Sequence, residues 1–274
     1  MIYVVLGMHK SGTTVVSQML HQSGINMGEF AAGLGYDEAN KYERHETQAL
    51  NREILHGYLI PPLEYLVKRP FRSTYDQAGY RRNLDSVALI RYGALRRNLA
   101  RKKPSTEMQT LIDEHEAAYT DWGFKDPRTC LTYPLWQQHL PPHRIIIVYR
   151  HYSELLKRYR ATGRNLPRLF RVLHGWTIYN AAILEALAKA TVPAITLNYE
   201  TLMQGQEEYQ RLNTFVGRTL ADARNPALYR NRVTDANDLP SAARWLLPFL
   251  PADPRQIYQQ LEAQRATDNW SGST

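Results

Sequence analysis

The stretch Met1–Gly24, MIYVVLGMHKSGTTVVSQMLHQSG, decides the fold. Ile2 to Leu6 form a short apolar run bounded by Gly7, the pattern of a strand buried on both faces of a parallel sheet. From Gly12 onward, Thr13, Thr14, Val15, Val16, Met19 and Leu20 follow at helical spacing. The segment therefore reads as strand, tight glycine-containing loop and helix N-terminus. Such a junction is an anion cradle: first-turn N–H groups lack intrahelical partners, the helix dipole favours negative charge, and glycines admit close backbone approach. The bland alternative is an ordinary first βα unit, with glycine for the turn and Ser11 as helix cap.

Spacing narrows the choice. Gly7 and Gly12 are separated as in G-x-x-x-x-G-K-[ST], but Thr13 stands where that motif has lysine, and the lysine, Lys10, lies inside the loop. A nucleotide triphosphatase uses its lysine together with Mg²⁺ and needs a second acidic strand end for the metal. The sequence suggests no strand ending in such an acid.

Outward from this unit, Gly24–Gly35 reads as a loop with a short strand around Ile25 to Met27, and Asn40–His56 as a helix or a loop entering one. Asn83–Lys103 has amphipathic helical spacing, and Ser105–Ala118 reads as a helix capped by Ser105 or Thr106. Trp122–Phe124 is predicted as a strand ending at KDPR (Lys125–Arg128), followed by a helix over Thr129–Leu140. RIIIVY (Arg144–Tyr149) is a second buried strand, with a helix from Glu154, a long helix over Asn165–Ala190 and a last strand at Pro193–Leu197. Alternation of this kind predicts a three-layer α/β fold: a mostly parallel central sheet, helices on both faces, and ligands at the strands' carboxyl ends. About 57–120 reads as a helical insertion, a candidate substrate lid within one domain spanning 1–274.

The 274 residues carry a formal net charge of +8, which implies anionic partners. A basic RNA-binding module is the non-enzyme reading, carried by Arg81, Arg82, Arg91, Arg96, Arg97, Arg101, Lys102 and Lys103; a solvated helix face explains the same residues. The single cysteine, Cys130, excludes an internal disulfide and a Cys-rich zinc site and fits a buried small side chain. With no basic leader or long apolar segment, the expectation is a cytoplasmic protein without a membrane anchor. The nine histidines show no metal-binding spacing, so no metal is expected, and no G-x-S-x-G nucleophile motif is present.

HKSGTT at His9–Thr14 resembles the 5′-phosphosulfate loop of sulfotransferases, which use 3′-phosphoadenosine 5′-phosphosulfate (PAPS) on a fold like that of P-loop triphosphatases, without metal. The Asn40–Leu55 segment, KDPR, the strand ending at Arg150, and NYETL at Asn198–Leu202 add to the resemblance in order, which touches most of the chain outside 57–120. It implies sulfuryl transfer to a hydroxyl or amine acceptor, a carbohydrate among the candidates; a nucleotide-dependent kinase or triphosphatase is the alternative on the same architecture. By resemblance, Lys10 neutralises charge at the bridging oxygen, while Ser11, Gly12, Thr13 and Thr14 hold the 5′-phosphate. Arg150 corresponds to the 3′-phosphate arginine. Its usual serine partner, eight positions on, is replaced by Arg158, which leaves Arg158 or Ser153 to complete that site. Glu43 is the first candidate base, with His45, Glu46 and Asp126 competing. Lys125 and Arg128 are placed either to bind sulfuryl oxygens or an acidic acceptor, or to make a salt-bridged turn. Glu200 is expected to cap the next helix or to pair with a core arginine.

Overall fold

The computed structural model describes residues 1–30, 41–60, 89–99, 101, 105–225 and 239–268. Four strands, β1 (Ile2–Leu6), β4 (Trp122–Lys125), β5 (His143–Tyr149) and β6 (Ala194–Asn198), form an all-parallel sheet in the order β4-β1-β5-β6. Period-two alternation divides each inner strand between two cores. Ile2, Val4 and Leu6 of β1 join Ile145, Ile147 and Tyr149 of β5 on one face, while Tyr3, Val5, Ile146 and Val148 face the other.

Helices cover both faces. The Tyr3/Val5 face is packed by α1 (Thr13–Gln22) and, after β6, by α8 (Tyr199–Gln204) and α9 (Glu207–Val216). The opposite face takes α5 (Thr129–Trp136), α6 (Tyr152–Arg158), α7 (Leu166–Ala188) and α11 (Pro254–Thr267). This is the predicted three-layer α/β architecture. After β6, the edge strand, Asp268 accepts the Thr196 N–H at 2.7 Å, and the buried Glu208 is held by Arg211 and Arg265 at 2.8 and 2.7 Å. These contacts tie the C-terminal helix to the sheet margin and satisfy an otherwise open edge donor.

Between β1 and β4 lie α2 (His45–His56), β2 (Leu59–Ile60), β3 (Leu89–Ile90), α3 (Tyr92–Leu99) and α4 (Thr106–Ala118). Ser105 caps α4 by accepting the Met108 N–H. The helix predicted over Asn83–Lys103 is corrected at its described residues: Leu89 and Ile90 pair antiparallel with Ile60 and Leu59, and the described helix is Tyr92–Leu99. Cross-strand pairing overrides the helical spacing there, and Arg91 N–H adds a bond to Tyr58 O at 2.8 Å. Residues 83–88, like 31–40 and 61–82, lie outside the described residues. The strand expected around Ile25 to Met27 reduces to one parallel bridge between Asn26 and Trp122.

The topology places a crevice. From β1 the chain passes to α1 on one face, whereas β4 and β5 on either side of it pass to α5 and α6 on the other. Connections that diverge this way open a cleft at the strands' carboxyl ends. Among the described residues no helix is long and apolar enough to cross a membrane.

Candidate active site

The loop after β1 is shaped by positions that tolerate no bulk. A Cβ on Gly7 would stand 2.4 Å from the Val148 carbonyl oxygen, and one on Gly12 1.9 Å from the Tyr199 ring. Gly12 also has φ 101°, and Lys10, though not glycine, has φ 66°. Left-handed backbone at two positions turns the loop sharply around Ser11, and such turns make anion-binding concavities. Gly12, not Ser11, is the N-cap of α1. The Gly7 N–H is directed inward, onto the sulfur of the buried Cys130 at 3.0 Å. Ser11 is 2% exposed, and its hydroxyl is buried without a hydrogen-bond partner. That orphaned hydroxyl, inside a backbone cradle, fits an anion ligand. The Lys10 side chain is exposed.

β5 supplies the arginine. Leu6 pairs with Ile147, so Arg150 stands three residues beyond that level, beside the loop, and its Nη1 donates to the Lys10 carbonyl at 3.4 Å. Its Nε meets Glu200 at 3.2 Å, Nη2 lies 3.7 Å from Glu154, and the guanidinium sits 4.7 Å over the Tyr199 ring. Glu200 thus pairs with a core arginine, and the cap of α8 is Asn198. Burial pushes the Glu200 carboxyl up to about 7 against the opposing Arg150 charge.

β4 supplies the second cation. Lys125 is fully buried; its ammonium bonds Glu43 at 2.7 Å and Thr14 Oγ1 at 3.3 Å. Burial lowers its pKa and Glu43 opposes the shift. Glu43 is aimed there by its neighbours: Tyr42 packs on Phe30 and His21, while Arg44 donates to the Gly123 and Asn26 carbonyls at 2.9 and 2.7 Å. The other Glu43 oxygen accepts from Gln48. Lys10, Thr14, Lys125, Glu43 and Arg150 therefore meet around one loop.

A family model described as the sulfotransferase family matches residues 3–222. The chain belongs to the sulfotransferase family. Among solved structures it is similar to a sulfotransferase domain from the curacin biosynthetic pathway, at 15% identity over 97% of both chains with a TM-score of 0.49. It is also similar to a sulfotransferase domain from the Synechococcus PCC 7002 olefin synthase, at 16% identity over 97% of this chain and 94% of that one, with a TM-score of 0.50. The second likeness speaks to the fold alone. No curated protein sequence matches the chain.

In this sulfotransferase the remaining candidates separate. Asp126 follows β4 directly, which corrects the expectation that no strand end carries an acid. Its oxygens are committed to neighbours: Oδ1 to the Arg128 guanidinium at 2.8 Å and N–H at 3.2 Å, Oδ2 to Asn51 at 2.9 Å. Burial raises the Asp126 carboxyl and Arg128 opposes. The salt-bridged reading of KDPR is thus the geometry found for Asp126 and Arg128. Ser153 bonds the His151 ring at 2.7 Å, Arg158 is exposed at the end of α6 near enough to Tyr199 to act on its phenol, and His45 and Glu46 stand exposed on the first turn of α2.

Two residues escaped the sequence reading. Asn51 is a buried hub, giving its amide hydrogens to Asp126 and Thr129 and accepting from Thr132 at 2.6 Å and Trp136 at 2.9 Å. Its position one turn or two into an amphipathic helix held no signal. His9 sits in the loop with Nε2 buried and unpartnered. Burial, then the charges of Arg128, Lys125, Lys10 and Lys41, hold its ring neutral well below the usual histidine pKa. Its place beside Lys10 in the motif was the available clue.

Proposed function

We propose that this sulfotransferase moves a sulfuryl group from PAPS to a hydroxyl or amine acceptor. The observation that carries the reading is the Gly7–Thr14 cradle, with its orphaned Ser11 hydroxyl, between an exposed Lys10 and the strand-end Arg150. When bound, PAPS supplies an activated sulfuryl group whose leaving group is adenosine 3′,5′-bisphosphate. Ser11, Gly12, Thr13 and Thr14 bind its 5′ end through first-turn N–H groups and hydroxyls. Lys10 neutralises the charge that grows on the leaving side, a term expressed mainly in the transition state. Arg150, with Ser153 or Arg158, takes the 3′-phosphate. Asp126 and Arg128 frame the site, holding Lys125 at the crevice.

Glu43, oriented by Lys125 and Gln48, is the proposed acceptor of the substrate proton. A second reading gives that proton to His9, because the ring is neutral and Nε2 is unengaged. The two separate by pH–rate profile: E43Q removes the acidic limb if Glu43 is the base, H9Q if His9 is. The insertion at 57–120 acts as the lid over a small-molecule or glycan acceptor, in a single domain of cytoplasmic location.

Calorimetry tests the donor. Adenosine 3′,5′-bisphosphate is expected to bind without metal and more tightly than ATP with Mg²⁺; the reverse order would favour the kinase or triphosphatase reading. Arg150→Ala is expected to weaken that binding by roughly 1.5–3 kcal/mol, the loss of one charged hydrogen-bonding group, with a rise in KM exceeding any fall in kcat. RNA affinity that falls steeply with salt and ignores Lys10 would favour the binding-module reading.

A further inference from the structure

Among the described residues the large hydrophobic side chains left exposed are four, and three of them lie on two segments that touch: Leu166 (46%), Trp245 (83%) and Phe249 (71%). Leu166 opens α7. Trp245 and Phe249 lie in the segment that starts with α10 (Ser241–Arg244) and continues through a 3₁₀ turn at Leu247–Phe249. The two segments touch where a Cβ on Gly163 would stand 3.0 Å from Ala242 Cβ. Together these side chains expose on the order of 350 Å² of apolar surface, the size at which a patch on a monomer is commonly functional.

Charge accompanies it. Arg164, Arg168 and Arg244 are exposed on the same segments, and neither 157–170 nor 239–252 contains an aspartate or glutamate. The acids that flank these stretches in sequence are Glu154, buried with Lys157 at 2.8 Å, Asp253, paired with Arg255 at 2.5 Å, and Asp238, which lies outside the described residues. Trp, Phe and Leu standing out among arginines, with no acid between, match an anionic interface that is apolar underneath.

The patch also has a direction. Trp176 donates to the Arg150 carbonyl at 2.9 Å, so that turn of α7 is level with the carboxyl end of β5. Leu166 lies ten residues earlier, which at 1.5 Å per residue sets it about 15 Å beyond the strand ends, at the same end of the sheet as the Gly7–Thr14 loop.

We propose that this tip docks on an anionic lipid bilayer, with Trp245, Phe249 and Leu166 entering the headgroup region and Arg164, Arg168 and Arg244 meeting lipid phosphates. Docking there holds the Lys10 and Lys125 mouth toward acceptors presented at the membrane surface, a consequence that rests on the proposed reaction. The docking itself does not.

Co-sedimentation of the full chain with phosphatidylglycerol-containing vesicles and with pure phosphatidylcholine vesicles tests it. Expected is partition to the anionic vesicles that weakens with salt, a loss of roughly tenfold or more for W245S/F249S, and a comparable loss for R164E/R168E. These side chains are exposed, and circular dichroism checks that the variants fold. Failure to partition, partition unchanged in both variants, or a W245S/F249S variant whose only change is conversion of an oligomer to a monomer would each overturn it. Binding of adenosine 3′,5′-bisphosphate, measured on the same samples, is expected to be unchanged by both double variants; its absence from the parent would sink the donor reading and leave docking standing.

Discussion

β1 and β4 are adjacent parallel strands, and each delivers a lysine to the same crevice, yet the two lysines are held in opposite ways. Lys10 is exposed, on left-handed backbone, in a loop whose Gly7–Thr14 span contains no carboxylate. Lys125 is fully buried and already bonded to Glu43 and Thr14, next to a buried Asp126–Arg128 pair that also accepts from Asn51. Backbone strain and exposure at one strand end, paired charge and burial at its neighbour, set the two apart: the β1 end is an open, strained loop, and the β4 end is a buried ion-paired frame.

The frame should fail in stability. Arg128→Ala leaves Asp126 buried beside an empty space, so unfolding free energy is expected to fall by about 3–5 kcal/mol, read from urea midpoints. A loss under about 1 kcal/mol would show that the β4 end is not a closed structural unit and would erase the contrast. The loop should fail in rate. Lys10→Ala is expected to lower kcat by about 10²–10³, equivalent to about 2.7–4 kcal/mol, with the urea midpoint unchanged and bisphosphate affinity reduced less. Wild-type turnover in that variant would remove Lys10 from the chemistry.

How much of this was legible follows from the same division. β1, the loop, α1 and β5 are local: apolar runs and glycine spacing within a few residues specify them, and they stand where the sequence places them. The frame is not local. Asn51 meets Asp126 across 75 residues and Trp136 across 85, and a lone polar residue in a helix carries no mark of such partners. KDPR left two readings open because a turn of alternating charges looks the same whether its partners are solutes or its own side chains. Leu89 and Ile90 fit a helical stripe equally well, and only the pairing with Leu59 and Ile60 settles them as strand.

Glu200 sharpens the comparison from a third strand end. Its native carboxyl is raised to about 7 from 4.5, so between those values the folded chain binds more protons than the unfolded one. Its contribution is full below pH 4.5 and is lost as pH rises through 7, by up to about 3 kcal/mol. Glu200→Gln cannot ionise, and its stability is expected to lack that part of the decline when unfolding is followed from pH 4.5 to 8. An unaltered pH dependence would mean that Arg150 holds Glu200 ionised throughout.

The smallest effect has the most diagnostic sign. Without ligand, the Ser11 hydroxyl is buried and unpartnered, which costs the folded protein desolvation with no hydrogen bond in return. Ser11→Ala removes that cost, so the urea midpoint is expected to stay level or rise slightly. In the proposed complex the hydroxyl gives the anion a bond that alanine cannot, so bisphosphate affinity is expected to fall by about 1 kcal/mol, roughly fivefold. A residue whose role is purely structural would move both measurements together. If Ser11→Ala destabilises the free protein, or binds adenosine 3′,5′-bisphosphate as tightly as the parent, the loop is not organised around an anion at Ser11, and the contrast between the two strand ends loses its chemical meaning.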